Sequence, residues 1–140
     1  MPQRARRCCC VVGKAGASSL RVIVADDDAS VRDDIRRALA EMTGLELVGT
    51  ARDGAEAWNL ALELQPDVLV LDDAMPIASG LDIAARLRTE LPMLRIVMYV
   101  SAPENCLEAA SVGAAACISK GRPLEELLAA LRGSEVEAHE

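Results

Sequence analysis

From Leu20 onward the apolar positions switch repeatedly between a spacing of two and a helical spacing, and each switch marks a new element. Arg21–Ala25 (RVIVA) is a β-branched run ending in three acids, after which Val31, Ile35, Ala38, Leu39 and Met42 fall on one helical face. Thr43-Gly44 stops that helix, and Leu45–Gly49 (LELVG) alternates as a strand does. Asp53 with Glu56 three residues on resembles a capping box and opens a helix through Leu64, which Gln65-Pro66 breaks. Val68–Leu71 (VLVL) is a continuous apolar run, as a strand buried on both faces requires. Ser79 and Asp82 open a third helix carrying Ile83, Ala84, Leu87 and Leu91 ahead of Pro92. Arg95–Val100 (RIVMYV) reads as another buried strand, Asn105–Val112 as a fourth helix and Ala115–Ile118 as a short strand. A fifth helix starts at Pro123 and runs to about Arg132.

Five strand–helix units of this length predict an α/β fold, a five-stranded parallel sheet doubly wound with helices on both faces. The core unit spans residues 20–132. Residues 1–19, basic and then small and polar, are expected to form a flexible extension, and residues 133–140 an acidic tail. The apolar stretch Cys8–Val12 is too short for the core of a signal peptide, and Gly13-Lys14-Ala15 lacks the flanking residues of a phosphate loop. No apolar run reaches the length of a membrane span.

Composition narrows the chemistry. A formal charge of −7 is a poor footprint for gripping nucleic acid. With Trp58 and Tyr99 as the whole aromatic complement, there is no platform for base stacking. His139 is the one histidine and sits at the terminus, which argues against Ser-His or Cys-His catalysis. Cys8, Cys9 and Cys10 are consecutive, and Cys106 and Cys117 stand apart without CxxC spacing. They read as reduced, incidental thiols of a cytoplasmic protein.

In a doubly wound sheet the functional site lies beyond the carboxyl ends of the strands. Asp26, Asp27 and Asp28 follow the first strand, Asp72 and Asp73 the third, Ser101 the fourth and Lys120 the fifth. Two carboxylates 4 Å apart repel by about 4 kcal/mol at an effective dielectric of about 20, so such crowding calls for a cation. A hard divalent ion with oxygen ligands, Mg²⁺, fits, and a lysine at the same edge suits a phosphoryl group.

These residues carry a resemblance. VADD at Val24–Asp27, GAEA at Gly54–Ala57, PDVLVLDDAMP at Pro66–Pro76, Gly80-Leu81, Gly113-Ala114 and Ser119-Lys120 occur in the order of a receiver domain of two-component response regulators. Leu20 to Arg132 is most similar to receivers that precede a helix-turn-helix output domain. The resemblance implies a flavodoxin-like (βα)5 fold with strand order 2-1-3-4-5. It implies Asp72, ahead of x-x-Met-Pro, as phospho-acceptor. Asp26, Asp27, Asp72 and the Ala74 carbonyl would hold Mg²⁺, and Lys120 would pair with the phosphoryl oxygens. The donor would be a histidine kinase or a phosphotransfer protein. A homodimer could form through the face of the fourth helix, fifth strand and fifth helix, with no nucleic-acid or membrane contact by this chain.

The sequence departs from the pattern at the switch. The family's Ser/Thr falls 28 residues after the acceptor, which lands here on Val100, one short of Ser101. Adjacent strand residues face opposite ways, so Ser101 serves only if the strand end bulges. Cys117 stands where an aromatic normally precedes the lysine by three. These departures leave open a pseudo-receiver that signals by binding without phosphorylation. A haloacid-dehalogenase-type phosphatase would also begin with acids after an apolar strand, but its late acid pair follows the lysine, whereas Asp72-Asp73 precedes Lys120. Trp58 and Tyr99 are expected to pack in the core or a groove, and Arg36 and Arg37 to form a solvated helix face.

Overall fold

A computed structural model of the protein describes residues 19–133. The expected terminal tails lie outside the described residues. The five strands are β1 (Leu20–Ala25), β2 (Leu45–Ala51), β3 (Val68–Asp72), β4 (Arg95–Val100) and β5 (Ala116–Ser119). All pair in parallel, in the order β2-β1-β3-β4-β5. The helices are α1 (Ala29–Ala40), α2 (Gly54–Leu64), α3 (Gly80–Glu90), α4 (Cys106–Ser111, preceded by a 3-10 turn at Pro103–Asn105) and α5 (Leu124–Leu131). This is the doubly wound parallel sheet that the pattern predicts, in the flavodoxin-like strand order that the resemblance implies.

Strand alternation sorts the core into two layers. Val22, Val24, Val68, Val70, Val97, Tyr99, Ala116 and Ile118 face one side, where Ile35 and Leu39 of α1 and Leu127 and Leu131 of α5 cover them. Ile23, Ala25, Leu69, Leu71, Ile96, Met98 and Val100 face the other, under Ala57 and Ala61 of α2, Ile83 and Leu87 of α3 and Ala109 of α4. Burial on both faces is why β3 reads as an unbroken apolar run. Trp58 packs partly buried against the second layer, with the Arg86 guanidinium 4.7 Å from its ring centre.

Caps set the helix boundaries. The Asp28, Asp53 and Ser79 side chains accept from the backbone N–H groups of Ser30, Glu56 and Asp82, so α1, α2 and α3 start where oxygen-bearing side chains satisfy free donors. Two glycines permit the close approach that places the β3–α3 loop. A Cβ on Gly80 would lie 1.8 Å from the Asp72 carbonyl oxygen, and one on Gly54 2.3 Å from that of Ala78. The glycine eight residues after Asp72 is therefore a packing requirement of the loop that carries the acid.

Boundary differences are small. The fourth helix begins as a 3-10 turn because Pro103 occupies its first position, and the fifth strand is shifted one residue, to Ala116–Ser119. The second strand runs on to Ala51, with a bulge that skips Val48 in its pairing with β1.

Candidate functional site

The carboxyl ends of β1 and β3 lie side by side at the centre of one sheet edge, where the strand order reverses, and β5 ends at the same edge beyond β4. Asp26 directly follows β1 and Asp72 ends β3, and both are buried, at 1% and 3% exposure. Asp27 is exposed. One carboxylate oxygen from each of Asp26, Asp27 and Asp72 lies within 4.8 Å of the others. Lys120, one residue past β5, reaches across: its Nζ is 2.8 Å from Asp26 Oδ2 and 3.3 Å from Asp72 Oδ1. The five residues named for the acid–lysine set thus divide into four that converge and Ala74, which lies exposed in the turn after β3.

Asp26 and Lys120 are held by their surroundings. The Asp28 N–H donates to Asp26 Oδ1 at 2.9 Å, and Arg32 Nη1 donates to the Asp26 carbonyl oxygen at 2.7 Å. The Lys120 N–H donates to the Val100 carbonyl at 2.7 Å, and the Lys120 ammonium sits 5.8 Å from the centre of the Tyr99 ring. Burial pushes the Asp72 carboxyl up to about 7, and repulsion from Asp26 adds to it against the attraction of Lys120. Burial works against the Lys120 charge as well, but contact with Asp26 and then Asp72 outweighs it and holds the ammonium above its ordinary range. One lysine does not balance three clustered acids.

That imbalance is the test of a metal. The donors are all hard oxygens at a partly open edge, and the buried Asp72 carboxyl is raised where a further cation would lower it. The set fits Mg²⁺, which takes one or two carboxylates and keeps several waters.

β4 pairs without interruption to Tyr99 with β3 and to Val100 with β5, and Val100 is buried against the α2–α4 layer. Ser101 is exposed in the turn beyond. Tyr99 is 8% exposed in the opposite layer, as its place in an apolar strand suggested.

Two interactions escaped the sequence reading. Asn105 Nδ2 donates to Asp73 Oδ2 at 2.7 Å and so fixes the second acid beside Asp72. Cys106 and Cys117 form a disulfide, with Cα atoms 5.6 Å apart, which corrects the reading of both as reduced, incidental thiols. Their separation of 11 residues carries no framework signal. Only the crossover from β4 through α4 to β5 brings the two together.

An acid cluster and a lysine thus sit at the switch point of a flavodoxin-like sheet, where ligands of open α/β sheets bind. A family model described as the response regulator receiver domain matches residues 22–132, and the chain belongs to that family. It is 36% identical over 115 residues to the response regulator GacA of Pseudomonas aeruginosa, covering 81% of this chain and 54% of the relative. It is 40% identical over 106 residues to a protein-glutamate methylesterase/protein-glutamine glutaminase of Myxococcus xanthus, covering 74% and 30%. The chain therefore spans about half the length of GacA, and less of the esterase. Among solved structures it is similar to the receiver domain of the regulator NarL from Mycobacterium tuberculosis, with a TM-score of 0.74, 30% identity and coverage of 83% and 98%. The response regulator domain of Thermotoga maritima CheB superposes with the same TM-score at 29% identity, covering 83% and 96%. Among the described residues no helix is long and apolar enough to cross a membrane.

Proposed function

We propose that the chain is a phospho-accepting receiver of a two-component phosphorelay, which takes a phosphoryl group onto Asp72 from a histidine kinase or phosphotransfer protein in the cytoplasm. The observation that carries this reading is Asp72 at the end of β3, within 3.3 Å of Lys120 and clustered with Asp26 and Asp27. Asp26, Asp27, Asp72 and the Ala74 carbonyl would hold Mg²⁺. When bound, that ion would neutralise charge on the transferring phosphoryl oxygens. The chain's own residues supply alignment and attraction. The Asp72 carboxylate, which a bound cation would keep ionised, attacks phosphorus as the donor's bond to phosphorus breaks, and needs no general base. Lys120, already over Asp72, would shift from the carboxylate to the new phosphoryl oxygens.

Transmission is proposed to be weak. Ser101 lies past the regular end of β4, and Cys117 is bonded to Cys106 instead of offering a mobile ring. The face of α4, β5 and α5 remains the proposed output and dimer surface, with Leu107 of α4 exposed on the protein.

The test is incubation with Mg²⁺ and a small phosphoramidate donor, followed by intact-mass measurement. The wild type should gain one phosphoryl group and Asp72→Asn none. Lasting phosphorylation of Asp72→Asn at Asp73 would overturn the assignment, and a wild type that takes up nothing would favour the pseudo-receiver.

A further inference from the structure

The Cys106–Cys117 pair joins two elements of very different anchorage. β5 is fixed in the sheet by its pairing with β4, from Val97 with Ala116 to Val100 with Ser119. α4 is six residues long, has no side-chain cap and buries only Ala109 fully. Leu107, Glu108 and Ala110 of that helix are exposed. A helix this short has little stability of its own, and most of what holds it must come from tertiary attachment. Cys106 is its first residue and Cys117 lies in the middle of β5, so the bond ties the loose element to the fixed one at the loose element's start.

The bond is also within reach of chemistry. Both cysteines are only partly buried, packed at the margin of the core rather than sealed inside it. In reducing compartments the disulfides that occur are mostly catalytic or redox-sensing.

We propose that Cys106 and Cys117 form a reversible thiol–disulfide modification site, a covalent latch whose state sets the freedom of the segment from Ser101 to Gly113. Opening takes a dithiol. Its thiolate attacks one sulfur and the protein S–S bond breaks. The second thiol then displaces the mixed disulfide, leaving two protein thiols and one oxidised dithiol. Two electrons and two protons pass to the protein. Closing is the reverse, with a small-molecule or protein disulfide as oxidant. Opening acts on one side only: α4 is released, while β5 and the Lys120 that follows it stay paired to β4.

The latch is tested on the full chain without any phosphoryl donor, so its outcome is independent of the function proposed for Asp72. Protein purified without reductant is alkylated, unfolded and digested. A linked peptide pair containing Cys106 and Cys117 is expected. Incubation of the folded protein with dithiothreitol should free both thiols, and oxidised glutathione should restore the link. Reduction should raise amide hydrogen exchange over residues 101–113 by about tenfold or more and leave β1 and β3 unchanged. Cys106→Ser should show the fast exchange with or without dithiothreitol. Links from either cysteine to Cys8, Cys9 or Cys10 would overturn the proposal. So would a pair that resists the dithiol in the folded protein, or reduction of the wild type that leaves exchange over 101–113 unchanged.

Discussion

In the metal-free protein the acid cluster should make folding weaken as pH rises, and Asp72 supplies most of that dependence. Its carboxyl is pushed from 3.8 up to about 7 by burial and by Asp26. Between those two pH values the folded state keeps a proton that the unfolded chain releases. The folded state then binds more protons, and the slope of unfolding free energy against pH is negative. Stability is therefore greatest at or below the unfolded value and falls until pH passes the folded one. A shift of this size corresponds to about 4 kcal/mol across the whole window, of which about 3 kcal/mol falls between pH 5 and pH 8. For a domain of this size that is a drop in Tm of roughly 10 °C.

The assay is thermal or urea unfolding from pH 5 to 8.5 in a chelator, on the wild type and Asp72→Asn. The asparagine cannot ionise, so its curve should lose most of the fall and lie above the wild type at pH 8. Lys120 is held above its ordinary range and stays charged throughout. A wild-type curve that is flat or rising in chelator would refute the reasoning, as would a variant that falls just as steeply.

Three further outcomes are expected. Asp27→Ala should lose most of the rise in Tm that Mg²⁺ gives the wild type, because it removes a charged oxygen at the open side of the cluster; an unchanged Mg²⁺ titration would place the ion elsewhere. Ile77 has φ of 76° while its side chain is 78% exposed, and the Ala78 N–H donates to the Pro76 carbonyl across it at 2.8 Å, so Ile77→Gly should stabilise by about 1 kcal/mol in a denaturant titration. Ser101→Ala should change phosphorylation and dephosphorylation rates by no more than about fivefold in a radiolabel time course, since coupling through a misplaced hydroxyl falls at the low end of about 1–3 kcal/mol.

The fold was legible because its constraints are local in sequence. Strands buried on both faces need apolar runs, and Val68–Leu71 could hardly be anything else between Pro66 and two acids. Helix starts were legible for the same reason at Asp53 and Ser79, where the capping oxygen and the N–H it accepts are three residues apart. The acid–lysine set was legible through topology: once the strands are parallel, residues that follow them must share one edge, whatever their separation along the chain. Pro103 moved the start of the fourth helix because a proline at the first position favours a tight turn that no apolar period records.

What stayed hidden depends on contacts between side chains on different units. Asn105 finds Asp73 across the end of the sheet, and Cys106 finds Cys117 across a helix and a strand, so neither pair has a period or a spacing of its own. The same distinction explains Gly80. Its position eight residues after Asp72 was visible as a pattern, but the reason, a carbonyl oxygen 1.8 Å from where a Cβ would stand, exists only once the loop is folded. It follows that the two departures at the switch belong together. On the proposed reading, Val100 is buried where the family's count puts the hydroxyl, and Cys117 is bonded to Cys106 where the family's ring stands, so neither supplies its part of the family's switch. On the same proposal, a signal to this face would pass through the attachment of α4, where the Cys106–Cys117 bond stands.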